Sequence, residues 1–247
     1  MMTKTISLVY GVATYLLFFV VFLYLIGFVG NWLVPKSIDS GAEGGLVSSL
    51  LVNFLLLSVF AVQHSVMARP GFKRWWTVMV PEAIERSTYV LLSSLALALL
   101  FWQWQPLPGV VWEVKNSAGT LMLWGLFWVG WLITLTSTFM INHFDLFGLR
   151  QVYLNLRGEK YISVKFKVFG LYKLVRHPIM LGFVIAFWAT PRMTLGHLVF
   201  SLVTTAYILI ALQLEERDLV ASIGGDYIQY KNQVSMLLPL PGGKKDQ

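Results

Sequence analysis

Two short clusters of reactive side chains bracket an apolar stretch in the last third of the chain. Arg176, His177 and Pro178 stand before it, and Glu215, Glu216, Arg217 and Asp218 follow it. Tyr172 precedes the first cluster, and Tyr227 and Tyr230 lie between the second and Pro239. A proline costs no hydrogen bond in the first turn of a helix, so Pro178 marks a helix start with Arg176 and His177 at its N-terminus. Free N–H groups and the positive dipole end there suit a carboxylate or a phosphate. Consecutive glutamates on a helix point about 100° apart, so Glu215 and Glu216 cannot both face water. An inward acid suits ribose hydroxyls or an amine. Tyr172, Phe183, Trp188, Tyr227 and Tyr230 offer rings on which a purine or a cation can pack. The two clusters read as one pocket, half in water and half in lipid.

The elements that must position these groups are membrane helices. Of 247 residues, 57% are hydrophobic and 13% charged, whereas a soluble domain carries about 25% charged residues. Five windows lack any charged side chain: Ile6–Gly30, Gly44–Ala68, Ser87–Gln105, Asn116–Asn142 and Met193–Leu214. Each can supply the roughly 20 apolar residues that spanning requires. A sixth, Pro178–Thr190, would cover only about 20 Å of a hydrocarbon core about 30 Å thick. The expected fold is therefore an all-α integral membrane protein. It has five full transmembrane helices plus one short helix forming a hairpin with the last span, and a cytoplasmic-side cofactor pocket. All but three of the 19 Lys and Arg residues (the exceptions are Lys36, Lys115 and Arg192) fall on one side of these windows. That asymmetry places both termini and the two basic loops in the cytoplasm of a multi-pass cell-membrane protein. Topology and contact with lipid headgroups account for most of the basic residues. Ile6–Gly30 is too long for the apolar core of a cleaved signal and lacks a small-residue cleavage site. There is no cysteine, which excludes disulfides, thiolate metal sites and a cysteine nucleophile.

The first span reads as plain packing with no polar group of interest. The second ends differently, in Gln63, His64 and Ser65, before Arg69-Pro70-Gly71 breaks the helix. Phe72, Trp75, Trp76 and Met79 then recur at helical spacing around Lys73 and Arg74, as in a short interfacial helix. His64 is either a helix-end histidine satisfied near the headgroups or part of a pocket wall. Arg86, three residues before Tyr89, either snorkels or faces that pocket. Asn142, His143 and Asp145 fall together where membrane meets water, a costly depth for polar groups unless they are paired or functional. Asp145 with Arg150 or His143 would fix the fold; alternatively the three belong to a substrate site. Arg157–Val175 is a basic stretch with alternating KFKVF, a short strand-like or irregular segment on the membrane surface. His64, His143, His177 and His197 share no i, i+4 spacing, so no metal site is expected, and no phosphate-loop, dinucleotide or zinc-protease motif occurs.

An amphiphilic, zwitterionic, cationic cofactor such as S-adenosylmethionine fits the donor groups at the two feet of the hairpin. The same residues carry a resemblance. Arg176-His177-Pro178, a hairpin, Glu215-Glu216-Arg217-Asp218-Leu219, Gly224 or Gly225, Tyr227, Tyr230 and Pro239 follow in the order of the integral membrane methyltransferases. That superfamily includes the isoprenylcysteine carboxyl methyltransferases and the phospholipid N-methyltransferases. The family often has tyrosine two residues after the proline, where this chain has Met180. The runs QHSVMARPGFKRWW, ERSTYVLLSS and INHFDLFGLRQVY resemble the bacterial branch that converts methanethiol to dimethyl sulfide.

The resemblance implies a single membrane methyltransferase domain over 1–247. Within it, 1–169 supplies N-terminal spans and substrate-side elements, and 170–239 the cofactor-binding hairpin and C-terminal segment. It implies that Tyr172, Arg176, His177, Pro178, Met180, Glu215, Glu216, Tyr227 and Tyr230 hold S-adenosylmethionine, released as S-adenosylhomocysteine. The partner substrate is a small volatile thiol that reaches the site through membrane lipids. Its proton must be removed or its anion stabilised: His143, oriented by Asp145, is the first candidate base and His64 the second. Asn142, Arg86, Tyr89 and Trp75 are candidates to polarise or confine the sulfur. The alternatives are a methyltransferase for a lipid or isoprenylcysteine-type substrate, and a small membrane transporter. A transporter would carry polar groups through both leaflets, whereas here they gather on the cytoplasmic side.

Overall fold

A computed structural model describes residues 3–239. The N-terminal Met1 and Met2, and residues 240–247 with Lys244 and Lys245, lie outside the described residues. The chain is helical nearly throughout, as expected, and divides into two compact units that alternate along the sequence. Five helices are long and apolar enough to cross a membrane: Lys4–Gly30, Leu46–Ala68, Glu82–Gln103, Ser117–Ile141 and Leu195–Ile223. The last continues nine residues beyond the expected Leu214 and carries the acidic cluster with it.

The first unit contains residues 3–113, 143–164 and 192–203. Helix α1 (Lys4–Gly30) starts where Thr3 accepts a hydrogen bond from the Ile6 N–H, and stops at Asn31 in the left-handed region. Helix α2 (Leu46–Ala68) stops at Arg69 because Pro70 cannot continue it, and Pro70 opens the short helix α3 (Pro70–Trp76). Met79 falls beyond that helix. Helix α4 (Glu82–Gln103) carries Glu82 and Glu85 in its first turn, where the dipole favours acids. Its far end is tied down by backbone contacts. The Asn53 side chain donates to the Gln105 carbonyl at 2.7 Å and accepts from its N–H at 2.9 Å, and the buried Trp104 indole donates to the Ile38 carbonyl at 3.0 Å. Strand β1 (Val110–Glu113) pairs antiparallel with 192–194, a small sheet that the apolar pattern did not announce.

The second unit contains residues 114–142, 165–191 and 204–239. It is built on helix α5 (Ser117–Ile141), whose N-cap Asn116 side chain accepts from the Gly119 N–H. In the first unit again, one turn α6 (His143–Leu146) and helix α7 (Leu149–Arg157) follow. Val152 of α7 is fully buried against α1, where a Cβ on Gly11 would lie 2.6 Å from it. Residues 159–169 have no regular structure, and a 3-10 turn at Gly170–Lys173 leads into the second unit's short helix α8 (Pro178–Trp188).

At 11 residues, α8 rises about 16 Å and cannot cross a bilayer. It leans on α5 at backbone distance: a Cβ on Gly182 would sit 2.7 Å from the Thr134 N, and one on Gly130 would sit 2.7 Å from the Gly182 carbonyl. Thr134 Oγ1 donates to the Ile179 carbonyl at 3.2 Å, the kind of bond that joins helices in lipid. After strand β2 (Arg192–Thr194) the chain returns in α9 (Leu195–Ile223), and the Trp188 indole donates to Thr205 Oγ1 of α9 at 2.9 Å. Gly224, at φ +76°, turns the chain into α10 (Gly225–Gln233).

The α5–α8 contact leaves no room for a branched side chain. Gly182→Val is expected to destabilise the protein by about 1–3 kcal/mol through overpacking. A thermal melt of the detergent-solubilised variant should fall by several degrees, and an unaltered melt would mean that the two helices have room to part.

Candidate functional site

The second unit gathers the charged ends of the hairpin around one carboxylate. Glu216 is 2% exposed, whereas the adjacent Glu215 has 47% of its side chain exposed. Their angular offset on α9 turns one inward and leaves the other open. Glu216 Oε1 accepts from Arg176 Nε at 2.6 Å and from His177 Nε2 at 3.2 Å, and Lys231 Nζ of α10 lies 2.9 Å from its other oxygen. Glu215 Oε2 stands 4.0 Å from His177 Nδ1. The carboxylate is thus shared by three helices' worth of chain. Lys231 was not singled out from sequence; its signal was the i, i+4 spacing from Tyr227 on one helix face.

Arg176 is committed through Nε and Nη1. Besides Glu216, its Nη1 donates to the carbonyls of Lys231 (3.0 Å) and Val234. The backbone follows suit: the Arg176 N–H donates to Ser235 O at 2.9 Å and the His177 N–H to Met236 O at 3.2 Å. No sequence pattern marks these acceptors, because every residue carries a carbonyl. At the start of α8, with Pro178 buried and Met180 half-buried, the N–H groups of Ile179 and Met180 have no acceptor within the helix.

Three tyrosines complete this cluster. The Tyr230 hydroxyl donates to the Tyr172 carbonyl at 2.6 Å, and the Tyr172 hydroxyl reaches the Ser137 carbonyl at 3.4 Å. The Tyr227 and Tyr230 rings meet edge to face with centroids 5.8 Å apart, and Phe166 packs on both. The Tyr227 side chain is buried, and its hydroxyl has no hydrogen-bond partner among the described residues. Burial pushes the Tyr230 hydroxyl up to about 12. Burial, reinforced by the charge of Glu215, raises Tyr172 well above the ordinary tyrosine value, and burial with the charges of Glu216 and Glu215 does the same for Tyr227.

The first unit holds two histidine–tyrosine pairs. His143 is 5% exposed, and its Nε2 lies 2.8 Å from the Tyr15 hydroxyl of α1. The first span therefore does supply a polar group to a candidate residue, contrary to the expectation that it serves packing alone. Phe144, Phe147 and Tyr15 all approach the His143 ring, and burial lowers its pKa below the ordinary histidine value. Asp145 accepts from Arg150 Nη1 at 2.8 Å and from the Tyr161 hydroxyl at 3.2 Å, an arrangement that ties α6 to α7. Asn142, in the second unit, caps α5 with its N–H on the Thr138 carbonyl.

The other pair joins α2 to α4. The Tyr89 hydroxyl lies 2.9 Å from His64 Nε2 and 3.0 Å from Nδ1, and Ser93 Oγ lies 3.1 Å from Nδ1. Phe60 stacks on the imidazole, with centroids 5.1 Å apart. The Arg86 guanidinium stands over the Tyr89 ring, 5.7 Å from its centroid. Of the two adjacent tryptophans, Trp75 is 57% exposed, while Trp76 packs against the cluster of Met67, Tyr89 and Val90. Among the described residues no group of His, Asp and Glu is placed to hold a metal ion.

Residues 52–220 match the protein family described as NnrU protein. Over the chain as a whole, a methanethiol S-methyltransferase of Mycobacterium tuberculosis is 59% identical across 97% of this chain and 98% of that protein. Methanethiol S-methyltransferase 2 of Bradyrhizobium diazoefficiens is 56% identical across 97% of this chain and 92% of its own length. A methanethiol S-methyltransferase of Crocosphaera subtropica is 52% identical across 98% and 95%. No solved structure matches the chain.

The two glutamates should separate in their effects. Glu216→Gln leaves the buried Arg176 without its counter-charge, which costs about 3–5 kcal/mol; the melting temperature should drop steeply, whereas Glu215→Gln should melt like the wild type. Equal losses in both would deny the inward–outward distinction. The tyrosines give a second check. The folded value of Tyr230 lies above the unfolded value of about 10. Its contribution to stability is therefore complete below pH 10 and fades as the pH rises through about 12. In an alkaline titration followed by phenolate absorbance, Tyr230→Phe should remove a late-ionising phenol and leave the early ones in place.

Proposed function

The chain belongs to the NnrU protein family, and from that premise we propose that it is an enzyme that methylates methanethiol to dimethyl sulfide, with S-adenosylmethionine as donor. The names of its relatives support the acceptor and the reaction. The observation that carries the donor assignment is the Arg176–Glu216–Lys231 cluster with His177, beside a half-exposed Glu215 and the buried, unpartnered hydroxyl of Tyr227. The donor groups fit these residues. Glu215 suits an ammonium or ribose hydroxyls, the start of α8 a carboxylate, and the rings of Tyr172, Tyr227 and Tyr230 an adenine or a cation. Pro178 and Met180 would border it. When bound, the donor supplies a methyl group on a positively charged sulfur.

The chain's own residues hold that donor and prepare the acceptor. Glu216 fixes Arg176 and His177 and ties α10 to the start of α8, so the walls of the donor site are set before any ligand arrives. The acceptor reacts as a thiolate, so a base must take its proton. His143 and His64 are the two imidazoles that bear on a tyrosine hydroxyl, Tyr15 and Tyr89 respectively. Arg86, Tyr89 and a tryptophan of α3 would confine the sulfur. In this reading Gly170–Pro239 is the donor-holding part of a single membrane domain. Both termini and the donor site face the cytoplasm, on the side where Lys and Arg gather, in the cell membrane.

Purified protein supplied with S-adenosylmethionine and methanethiol should release dimethyl sulfide into the headspace, and calorimetry should register S-adenosylhomocysteine binding. S-adenosylhomocysteine binding without dimethyl sulfide would favour a lipid or isoprenylcysteine-type acceptor. Neither signal would remove the enzyme assignment and leave a transporter.

A further inference from the structure

The acceptor side of the reaction leaves two histidines to choose between, and their surroundings differ in kind. We propose that His64, acting with Tyr89, removes the proton of the acceptor thiol, and that the resulting thiolate is received by the indole N–H of Trp76 near the charge of Arg86. The proposal rests on the thiol-methylating reading above and adds to it both the base and a binding residue.

The tautomer of His64 follows from its neighbours. Ser93 Oγ donates its proton to the Tyr89 carbonyl at 2.9 Å, one helical turn back along α4. Toward His64 Nδ1, 3.1 Å away, the same oxygen can then only accept. Nδ1 therefore carries the hydrogen, and Nε2 keeps its lone pair. The Tyr89 hydroxyl stands beside both ring nitrogens, at 2.9 and 3.0 Å, and with Nδ1 protonated only Nε2 can take its proton. It is not in line with that lone pair, and catalytic hydrogen bonds often align only once substrate binds. The step then balances. The S–H bond of the thiol breaks and its proton passes to the Tyr89 oxygen as the Tyr89 proton passes to Nε2. A thiolate, a neutral Tyr89 and an imidazolium result.

A new anion needs donors, and this site has spare ones. Trp76 Nε1 is buried with no acceptor among the described residues, although Trp76 packs against the cluster of Met67, Tyr89 and Val90. A buried unpaired N–H is costly, and a thiolate sulfur would satisfy it. Arg86 is half-buried over the Tyr89 ring and forms no ion pair with a carboxylate among the described residues. The titratable and charged groups set against His64 are Tyr89 and Arg86, both from α4. Met67, Phe18, Phe72 and Phe147 around them suit a methyl-bearing sulfur. His143 is set differently. Rings of Tyr15, Phe144 and Phe147 approach it on several sides, and the nearby Arg150 is paired to Asp145.

Initial rates with methanethiol across pH test the assignment, with S-adenosylhomocysteine calorimetry as a check on fold and donor site. In the wild type the rate should depend only weakly on pH around neutrality. In His64→Ala it should fall at neutral pH and climb about tenfold per pH unit, because only thiolate already present in solution reacts. Added imidazole should restore part of it. His64→Gln serves if the alanine variant does not fold. Trp76→Phe should raise KM for methanethiol about tenfold with kcat and S-adenosylhomocysteine affinity retained. A wild-type pH profile in a His64 variant would overturn the base, and an unmoved KM in Trp76→Phe the anion site. A wild type that makes no dimethyl sulfide would instead sink the reading on which both depend.

Discussion

A buried carboxylate must be compensated or it is not ionised, and Glu216 is the carboxylate on which this protein's polar architecture turns. Two cations and a histidine from two separate stretches of chain converge on its two oxygens. Arg176 in turn gathers carbonyls from the end of α10 and the residue that follows it. The backbone N–H groups of Arg176 and His177 bind Ser235 and Met236 of the segment after α10. Charge and main-chain hydrogen bonding thus fix the C-terminal stretch against the start of α8 together. That gives the residues of the candidate donor site a rigid frame without using the open acid, Glu215, to build it.

The consequence for function is a division of labour between adjacent acids. Glu216 is saturated, so it has little left to offer a ligand; its work is positional. Glu215 and the Tyr227 hydroxyl have unspent hydrogen-bonding capacity in or beside the cluster. The same distinction separates residues on the thiol side. Asp145 is spent on Arg150 and Tyr161, whereas Arg86 and the Trp76 indole N–H keep unspent capacity next to the His64–Tyr89 pair. In a low-dielectric surround, a polar group that has all its partners makes structure, and one that lacks a partner waits for a ligand.

Close helix approach is the other constraint. A helix of 11 residues is too short to be held by lipid alone, so α8 depends on α5. Gly130 and Gly182 let the two backbones meet, and Thr134 adds a hydrogen bond across the contact. Without a hydrophobic drive between helices in lipid, such small-residue contacts carry the association. They set where Pro178, and with it Arg176 and His177, begins.

By itself the sequence determined the membrane class, the five spans, the short sixth helix and the two clusters that bracket the hairpin. Charge-free windows and a proline at a helix start are local properties of the chain, written in residue order. It also determined that one of Glu215 and Glu216 must turn inward, because helical geometry separates neighbours by a fixed angle. Which one turned, and what met it, was settled only by tertiary structure. Lys231 and the carbonyls of Val234, Ser235 and Met236 reach the cluster from a different helix or from backbone, and backbone acceptors leave no mark in composition. Tyr15 became the partner of His143 because α1 runs past α6, a relation between residues 128 positions apart. Trp76 rather than Trp75 packs against the cluster of Met67, Tyr89 and Val90 for the same reason: two adjacent, chemically identical side chains differ only in the direction that packing gives them.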